Sequence, residues 1–322
     1  MLINSVLGPV DTADLGFTLM HEHIAIIDWC FANAIPGWYD REQTVQRFCD
    51  TVEPLKKYGL KTILDATVIN LGRDVELQIE CARRSGINIL ACTGIYCHED
   101  PYLEYGVEAD YLARLMIREI TEGMQGTAAR PAYIKCATGN CSTKEVNPSM
   151  VQAAALAAKE TGLPIYTHTE PGKNMGLIQK EIFEAAGLEQ SRIVIGHAYP
   201  PPPEKMDYYK RLLDGGTYLG FDILNFLELD ELPVMAKLVL ELREAGFGKQ
   251  IMISCDHTIR SDFGSSLRKV HDDPEENPCI RRDCYFSRLF EGFIPEARRQ
   301  GMTDAMLREH FIDNPRRFFE GK

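Results

Sequence analysis

Short apolar runs alternate along the chain with longer stretches in which apolar residues recur every three or four positions. The short runs are rich in β-branched residues, which is typical of buried strands. They are Phe17 to His23, Leu60 to Thr67, Ile87 to Ile95, Ala132 to Ala137, Leu163 to His168, Arg192 to His197, Thr217 to Asp222 and Gln250 to Asp256. About eight strands that alternate with helices are the count of a closed parallel barrel, so the pattern predicts an α/β fold of the TIM (β/α)8 class.

The longer stretches carry the spacing of one buried helical face, as at Thr44 to Tyr58, Ser149 to Thr161 and Leu232 to Ala245. Glycine follows several helical stretches, where a left-handed residue would end the helix before the next strand. These glycines are Gly59, Gly86, Gly162, Gly187 and Gly246. No low-complexity linker interrupts the alternation, and we therefore expect residues 1–322 to form a single domain.

Beyond the eighth run, the sequence no longer predicts alternating strands and helices. The stretch from His257 to about Cys284 contains Gly264, Pro274 and Pro278, which favour irregular structure, and we predict a large loop there. Residues Ser287 to Phe319 are predicted to form closing helices. A doubly wound open sheet is the alternative architecture, but the first strand-helix turn lacks the G-x-G-x-x-G and G-x-x-x-x-G-K-[ST] signatures of nucleotide-binding folds.

Composition narrows the class of partner. Apolar residues make up 45% of the 322 positions, enough for a sizeable core, and the net charge of −12 argues against nucleic acid or an anionic membrane. A small molecule is therefore the expected substrate. The N-terminus lacks the features of a signal peptide, and no apolar stretch approaches the roughly 20 residues that span a bilayer, so we expect a cytoplasmic protein. The ten cysteines are scattered without a C-x-x-C pair, which favours reduced, mostly buried thiols.

Two histidines close the first run in the motif HEH, at His21 and His23. Alternate residues of a strand point to the same face, so the two imidazoles project to one side. On this motif alone, a buried structural pair and a pair of metal ligands are comparable interpretations. The other strand ends decide between them.

Further polar residues end other predicted strands, and in a parallel barrel these strand ends meet around the active site. Together with the first pair, they are His21, His23, Lys135, His168, His197 and Asp256. Taken singly, Lys135 and Asp256 would be interpreted as polar residues that cap a strand. Four of the eight histidines at strand ends, with a carboxylate on the last strand, indicate a metal site with nitrogen and oxygen ligands.

These motifs resemble the phosphotriesterase-like branch of the amidohydrolase superfamily. The matching elements are HEH after the first strand, the lysine in IKCATG, TH-T, GH after the sixth strand and S-x-D on the eighth. The resemblance covers essentially the whole chain and implies a TIM barrel with two divalent metal ions at the C-terminal ends of its strands. Zinc is the first expectation because imidazole and carboxylate ligands suit it, and manganese, cobalt and iron are alternatives.

The resemblance also implies a role for each ligand. His21, His23 and Asp256 would hold the more buried metal, and His168 and His197 would hold the more exposed one. The two metals would share a hydroxide, lower its pKa and aim it at a carbonyl or phosphoryl centre. Asp256 would then take the proton released during the attack.

Two further residues acquire roles through the resemblance. Lys135 would be carboxylated on its side-chain nitrogen and bridge both metals, because a carbamate offers two anionic oxygens where an ammonium would be repelled. Tyr96 matches a tyrosine that lactonase members place over the metal pair. A hydroxyl donor to the substrate carbonyl and a plain aromatic wall are equally weighted interpretations of Tyr96. His98 is either a support for the centre or a solvated loop residue.

The chain departs from the family at positions that affect its specificity. Efficient organophosphate hydrolases of the family carry a proton relay that includes a histidine just after the seventh-strand aspartate, where this chain has Ile223, and an aspartate where it has Pro200. Related acyl-homoserine lactonases place an arginine at the position of Ile223. Neither of these two specific activities is therefore implied.

Basic residues in the stretch from His257 to Cys284 could receive the anion of a substrate. They are Arg260, Arg268, Lys269, Arg281 and Arg282. The alternative, which we favour for any one of them, is a solvated basic face beside Asp272, Asp273, Glu275 and Glu276.

The first hypothesis for the function is a metal-dependent hydrolase of carboxylic esters, foremost a lactonase, with at most weak phosphotriesterase activity. An amidase acting on a small N-acyl compound is the nearest alternative, since the same hydroxide attacks an amide once the leaving nitrogen is protonated. From a different class, the chain could be a metal-binding or ligand-binding relative without turnover. The oligomeric state stays open, with a homodimer among the possibilities.

Overall fold

The computed structural model of the chain describes residues 1–97, 107–139, 148–201, 205–262, 286 and 288–322. Within these ranges, strands β1 (Leu2–Ser5) and β2 (Gly8–Asp11) form an antiparallel hairpin, which the hydrophobic pattern did not predict. Nine further strands form one sheet of the described residues. They are β3 (Phe17–Ile26), β4 (Leu60–Asp65), β5 (Asn88–Gly94), β6 (Tyr133–Ala137), β7 (Ile165–His168), β8 (Ile193–Ile195), β9 (Tyr218–Phe221), β10 (Ile251–Ile253) and β11 (His257–Ser261).

All neighbouring strands of the large sheet run parallel, in the order β10-β9-β8-β7-β6-β5-β4-β3-β11. Seven of the eight apolar runs contain one of the strands β4 to β10, and the first run forms the first seven residues of β3, so the strand prediction is confirmed. The architecture is α/β, as the alternation of strands and helices predicted.

The two edge strands of this sheet, β10 and β11, follow each other directly along the chain. Three residues separate the end of β10 from the start of β11, which pairs with β3, where His257 lies opposite Glu22. The backbone N–H of Asp256 donates to the carbonyl of His21 at 3.0 Å, and that of Ser254 donates to the carbonyl of Phe221 at 3.1 Å. The short connection therefore donates hydrogen bonds to β3 and β9, which are each the second strand from one end of the sheet order.

One sequence prediction is wrong at this point. The stretch from His257 was predicted to be loop, but its first five residues form β11, because β3 extends past His23 to Ile26 and offers its backbone as a parallel partner. Asp262 follows β11, and the rest of that predicted loop, residues 263–284, lies outside the described residues, as does His98.

Eleven α-helices of the described residues surround or follow the strands. They are α1 (Trp29–Ala34), α2 (Arg41–Val52), α3 (Val75–Ser85), α4 (Ala109–Glu122), α5 (Ser149–Thr161), α6 (Met175–Ala185), α7 (Lys205–Leu213), α8 (Glu231–Leu242), α9 (Ile294–Arg299), α10 (Asp304–Arg308) and α11 (Asn314–Glu320). The predicted helix at Thr44 to Tyr58 is α2 followed by a 3₁₀ segment, Glu53–Tyr58, with Pro54 in its first turn. The predicted closing helices include α9, α10 and α11.

Shorter helical segments complete the connections. The 3₁₀ segments of the described residues are Thr12–Asp14, Glu53–Tyr58, Ile69–Leu71, Gln190–Arg192, Asp214–Gly216, Leu224–Phe226 and Gly248–Gln250. Wider π turns occur at Arg243–Phe247, Arg288–Phe293 and Glu309–Asp313. Gly162 ends α5 with φ of +73°, the left-handed conformation that the sequence predicted for it.

Alternate strand residues separate two apolar clusters. Ile63 belongs to a large cluster that includes the buried faces of the helices, whereas its neighbour Leu64 belongs to a smaller cluster with Tyr133 and with Phe318 of α11. Both faces of the sheet are therefore covered, as is usual for parallel sheets. Lys135 follows Tyr133 by two positions and shares its face, so the polar strand ends continue the face of the smaller cluster.

Two remaining expectations concern the whole chain. Among the described residues, no helix combines the length and apolar character needed to cross a bilayer. Seven cysteines lie in the described residues, all as free thiols, and five of them are buried. The expectation of reduced, mostly buried cysteines therefore agrees with the part of the chain that the structure describes.

Candidate metal centre

The six residues singled out from the sequence lie on five strand ends. They are His21 and His23 in β3, Lys135 in β6, His168 at the end of β7, His197 two residues after β8 and Asp256 three residues after β10. Ring contacts connect the histidines of different strands, with centroids 4.8 Å apart for His21 and His197 and 4.3 Å apart for His168 and His197. The fold thus brings these side chains together from positions as far apart in the chain as 21 and 256.

The carboxylate of Asp256 lies among three imidazoles. Its oxygens are 3.2 Å from Nε2 of His23, 3.6 Å from Nε2 of His21 and 3.8 Å from Nε2 of His197. One ligand atom each from His21, His23 and Asp256 fits within 4.8 Å of the others, a spacing compatible with a shared cation. The Asp256 side chain keeps 15% of its surface exposed, so this carboxylate contacts the cluster and is also partly accessible to solvent.

Lys135 adds a nitrogen to the same space. Its Nζ is 3.1 Å from Nε2 of His21, and the residue is 1% exposed. No carboxylate of the described residues pairs with this amine, and the ring of Tyr166 lies 5.3 Å from it. Burial lowers the pKa of Lys135 below its ordinary value, because a charged ammonium is poorly solvated there.

Two of the site residues have backbone conformations that are rare for residues other than glycine. His197 has φ of +55° and Asp256 has φ of +54°. Such left-handed conformations cost free energy in residues with a side chain, and they persist where the surroundings impose them. At Asp256, these surroundings include a buried carboxylate from the neighbouring strand.

That carboxylate belongs to Glu22, which lies between the two histidines of β3 and is 2% exposed. It accepts hydrogen bonds from the hydroxyl of Ser254 at 2.7 Å and from the backbone N–H groups of Cys255 at 3.1 Å and His257 at 2.7 Å. Burial raises the pKa of Glu22 well above its ordinary value. Glu22 therefore holds the turn that carries Asp256, a role that the sequence analysis missed.

The outer ring nitrogens of three histidines contact side chains that the sequence analysis did not assign. Nδ1 of His21 is 3.0 Å and Nδ1 of His197 is 2.7 Å from the two carboxylate oxygens of Asp222. Nδ1 of His23 is 2.8 Å from Oγ1 of Thr67. The signal was present in the sequence, because Thr67 and Asp222 are the polar last residues of two predicted strands.

Electrostatics favour a neutral imidazole at His21 beside an ionised carboxylate at Asp256. Burial lowers the pKa of His21 to about 4, with Lys135 contributing in the same direction, so this imidazole is neutral near pH 7. Burial alone would raise the pKa of Asp256, but the nearby His21, His23 and His197 hold it below the usual range. Neutral imidazoles with anionic oxygens are the donor set that divalent transition metals prefer, so the residues present fit such ions.

Tyr96 lies next to this cluster, with its hydroxyl 3.2 Å from Nε2 of His168. The side chain of Asn70 holds the Tyr96 backbone from both sides. Its Nδ2 donates to the Tyr96 carbonyl at 2.9 Å, and its Oδ1 accepts from the Tyr96 N–H at 2.7 Å. The sequence analysis found Tyr96 but missed Asn70, because Asn70 ends no predicted strand.

Other predicted residues lie in different surroundings. Arg260 is 5% exposed, donates to the carbonyl of Trp38 at 3.1 Å and lies over the ring of Tyr39, so it is no part of a solvated basic face. Ile223 is 8% exposed and belongs to the large apolar cluster. The other four cations suggested as anion receivers lie outside the described residues.

Fold and site together define an α/β protein that carries a candidate site for divalent metal ions at the C-terminal ends of parallel strands. The model of the phosphotriesterase family matches residues 1–319, and the chain belongs to this family. The resemblance inferred from the HEH, IKCATG and GH motifs is thereby confirmed.

Individual relatives span nearly the whole chain. An aryldialkylphosphatase of Saccharolobus solfataricus is 32% identical over 96% of both chains. The solved structure of the phosphotriesterase from Mycobacterium tuberculosis is 31% identical with a TM-score of 0.86, covering 99% of this chain and 98% of the other. More distant relatives include a phospho-furanose lactonase of Mycoplasmopsis agalactiae, 24% identical over 98% of this chain and 90% of its own, and an N-acetyltaurine hydrolase of Salmo salar, 22% identical over 99% and 98%.

Proposed function

We propose that this protein is a binuclear metal-dependent hydrolase of carboxylic esters, with a lactone as its substrate. The observation that carries the proposal is the convergence of three Nε2 atoms on the Asp256 carboxylate, beside the Tyr96 hydroxyl. Membership of a family whose members are hydrolases supports it. We also infer that the sheet is the closed (β/α)8 barrel, with β10 and β11 as the two halves of its eighth strand.

The proposed ligands divide into two sets, one for each metal ion. His21, His23 and Asp256 would hold one ion, and His168 and His197 would hold the other. When bound, two divalent ions would supply a water of lowered pKa and polarise the scissile carbonyl. Zinc is the expected ion, because imidazole and carboxylate donors suit it.

Lys135 is proposed to carry a carboxylate on Nζ and to bridge the two ions. The buried amine has no carboxylate partner among the described residues, and it lies 3.1 Å from a histidine nitrogen. A bare ammonium there would face two cations, whereas a carbamate would contribute a negative charge and two oxygen donors. The lowered pKa of the amine favours the neutral form that reacts with carbon dioxide.

Asp256 and Tyr96 are the proposed catalytic residues. Asp256 takes the proton of the attacking water and returns it to the alkoxide that leaves, which in a lactone stays tethered to the product. The Tyr96 hydroxyl donates to the carbonyl oxygen, where negative charge develops in the transition state. The partly exposed Asp256 carboxylate can reach both the water and the leaving oxygen.

Amide hydrolysis is the second candidate, supported by the N-acetyltaurine hydrolase among the relatives. Phosphotriester hydrolysis is expected to be weak, because the apolar Ile223 stands where the proton relay of efficient phosphotriesterases would begin. A binding protein without turnover is disfavoured, since it would not need the complete donor set. The cytoplasmic location, the single domain of residues 1–322 and the oligomeric state, with a homodimer among the possibilities, remain predictions.

The test is acid release by the metal-loaded protein from matched panels of lactones, N-acyl compounds and paraoxon-like triesters, with chelated protein as the control. We expect two transition-metal ions per chain by elemental analysis and lactones as the fastest class. Faster turnover of N-acyl compounds would replace the lactonase assignment by the amidase assignment. No bound metal, together with activity that survives chelation, would refute the proposal.

A further inference from the structure

Asp222 is a fully buried carboxylate just after β9 with four hydrogen-bonding contacts. One oxygen accepts from the backbone N–H of His197 at 2.8 Å and lies 2.7 Å from Nδ1 of His197. The other accepts from the hydroxyl of Tyr166 at 2.7 Å and lies 3.0 Å from Nδ1 of His21. We propose that Asp222 is the positioning residue that sets the tautomers of His21 and His197 together and so prepares both metal subsites at once.

The argument rests on the chemistry of the two partners. An ionised carboxylate only accepts hydrogen bonds, and a neutral imidazole has a single N–H. Each ring must therefore carry its proton on Nδ1, which leaves the lone pair of Nε2 directed into the cluster. The backbone N–H of His197 can only donate, and it occupies one oxygen of Asp222, while the Tyr166 hydroxyl donates to the other, so both oxygens act as acceptors and the ionised form is favoured.

Thr67 provides an internal contrast. Its hydroxyl lies 2.8 Å from Nδ1 of His23, but a hydroxyl can either donate or accept. Thr67 is therefore compatible with both tautomers of His23, whereas Asp222 is compatible with only one tautomer of His21 and of His197.

The fold leaves space for this carboxylate at two neighbouring glycines. A Cβ atom on Gly220 would lie 2.6 Å from Oδ2 of Asp222 and 2.5 Å from the Tyr166 hydroxyl. A Cβ atom on Gly196 would lie 3.0 Å from the same carboxylate oxygen. Gly196, directly after β8, and Gly220, in β9, thus leave room where Asp222 and Tyr166 meet.

The consequence for metal binding rests on the proposed function, in which His21 and His197 belong to different ions. A single carboxylate would then prepare one ligand of each subsite. Groups that orient metal ligands in this way typically contribute 10- to 100-fold to metal affinity.

The proposal makes a specific prediction for the Asp222→Asn variant. The backbone N–H of His197 cannot reverse its role, so the amide oxygen should stay on that side and the amide NH₂ should face His21. The Tyr166 hydroxyl can rotate to accept, but Nδ1 of His21 can accept only if the ring proton moves to Nε2. We expect His21 to change tautomer while His197 keeps its own.

The experiment uses metal-free protein with ¹⁵N-labelled histidine, at about pH 8 and above the ordinary histidine pKa of about 6.5. Two-bond proton-nitrogen correlations report the tautomer of each ring, and single histidine substitutions assign the signals. Wild-type protein should show Nδ1–H for His21 and His197, and Asp222→Asn should show Nε2–H for His21 only. Thr67→Val is the matched control and should leave both of these rings unchanged.

An Nε2–H form of either ring in the wild-type protein would overturn the inference, even if the variant failed to fold. So would an unchanged His21 tautomer in a folded Asp222→Asn protein. A titration with Zn²⁺ then separates this inference from the proposed function. Wild-type protein without metal affinity would refute the metal centre alone, whereas equal affinities of wild type and Asp222→Asn would refute the preparation of the subsites.

Discussion

Two buried histidines of this protein, His21 and His310, share their burial and their lowered pKa and differ in the groups that their ring nitrogens contact. Both are 1% exposed, and burial lowers the pKa of both to about 4. In His310, Nδ1 donates to the carbonyl of Ile251 at 3.1 Å, and Nε2 accepts from Arg243 at 3.1 Å. In His21, Nδ1 contacts Asp222, and Nε2 faces Lys135 and Asp256.

The comparison teaches how to distinguish a structural histidine from a ligand. Burial and a depressed pKa are shared, so neither identifies the function. In His310 both nitrogens have partners near the N-terminal ends of the strands, Nδ1 in the carbonyl of Ile251 at the start of β10 and Nε2 in the side chain of Arg243. In His21, by contrast, Nε2 is directed toward Lys135 and Asp256, which come from other strands.

The largest expected effect is that of Asp256→Asn. If Asp256 moves the proton, the amide should lower kcat on the order of a thousandfold, within the range of general acid-base catalysis, even where metal is retained. The measurement is kcat for the best lactone, with metal content determined on the same samples. His310→Gln is the control and should keep its kcat, because it lies outside the centre. Full turnover by Asp256→Asn would contradict the assigned role.

The pH dependence of stability tests the structural role of His310. The histidine pKa is 6.5 in its ordinary state and about 4 in folded His310, so between these values the unfolded chain binds the extra proton. The contribution of His310 is therefore fully present above pH 6.5 and is lost as the pH falls toward 4. It should amount to about 3 kcal/mol.

Denaturant unfolding of wild type and His310→Gln across this pH window measures the difference. The wild-type free energy of unfolding should fall more steeply toward low pH, and the two curves should become parallel above pH 6.5. Parallel curves throughout would show that His310 does not titrate on unfolding, and the structural half of the comparison would be wrong.

A smaller effect is expected for Tyr96→Phe. Loss of one donor to a developing oxyanion typically lowers kcat about a hundredfold. Because the contact strengthens in the transition state, kcat should fall more than substrate binding weakens. A silent Tyr96→Phe substitution would favour the interpretation of Tyr96 as an aromatic wall.

The smallest effect is expected for Asn70→Ala, which removes the two hydrogen bonds that hold the Tyr96 backbone. A misplaced hydroxyl should lower kcat about tenfold. If Asn70 acts through Tyr96, adding Asn70→Ala to Tyr96→Phe should produce little further loss. Fully additive losses in this double-mutant cycle would indicate a general structural role instead.

The sequence by itself determined the strands β3 to β10 and the residues at their ends. Both follow from local patterns, because an apolar run and its last polar residue are neighbours in the chain. Since strands of a parallel sheet end at the same edge, His21, Lys135 and Asp256 could be assigned to one cluster without knowledge of their distances.

Tertiary structure alone decided which partners complete the cluster. Asp222 lies 201 positions from His21, and Asn70 lies 26 positions from Tyr96, so no local periodicity connects them. Strand β11 was equally hidden, because its partner is the extended end of β3, more than 230 residues earlier in the chain. Hydrogen-bond partners depend on which backbones approach each other, and that is fixed only when the sheet has formed.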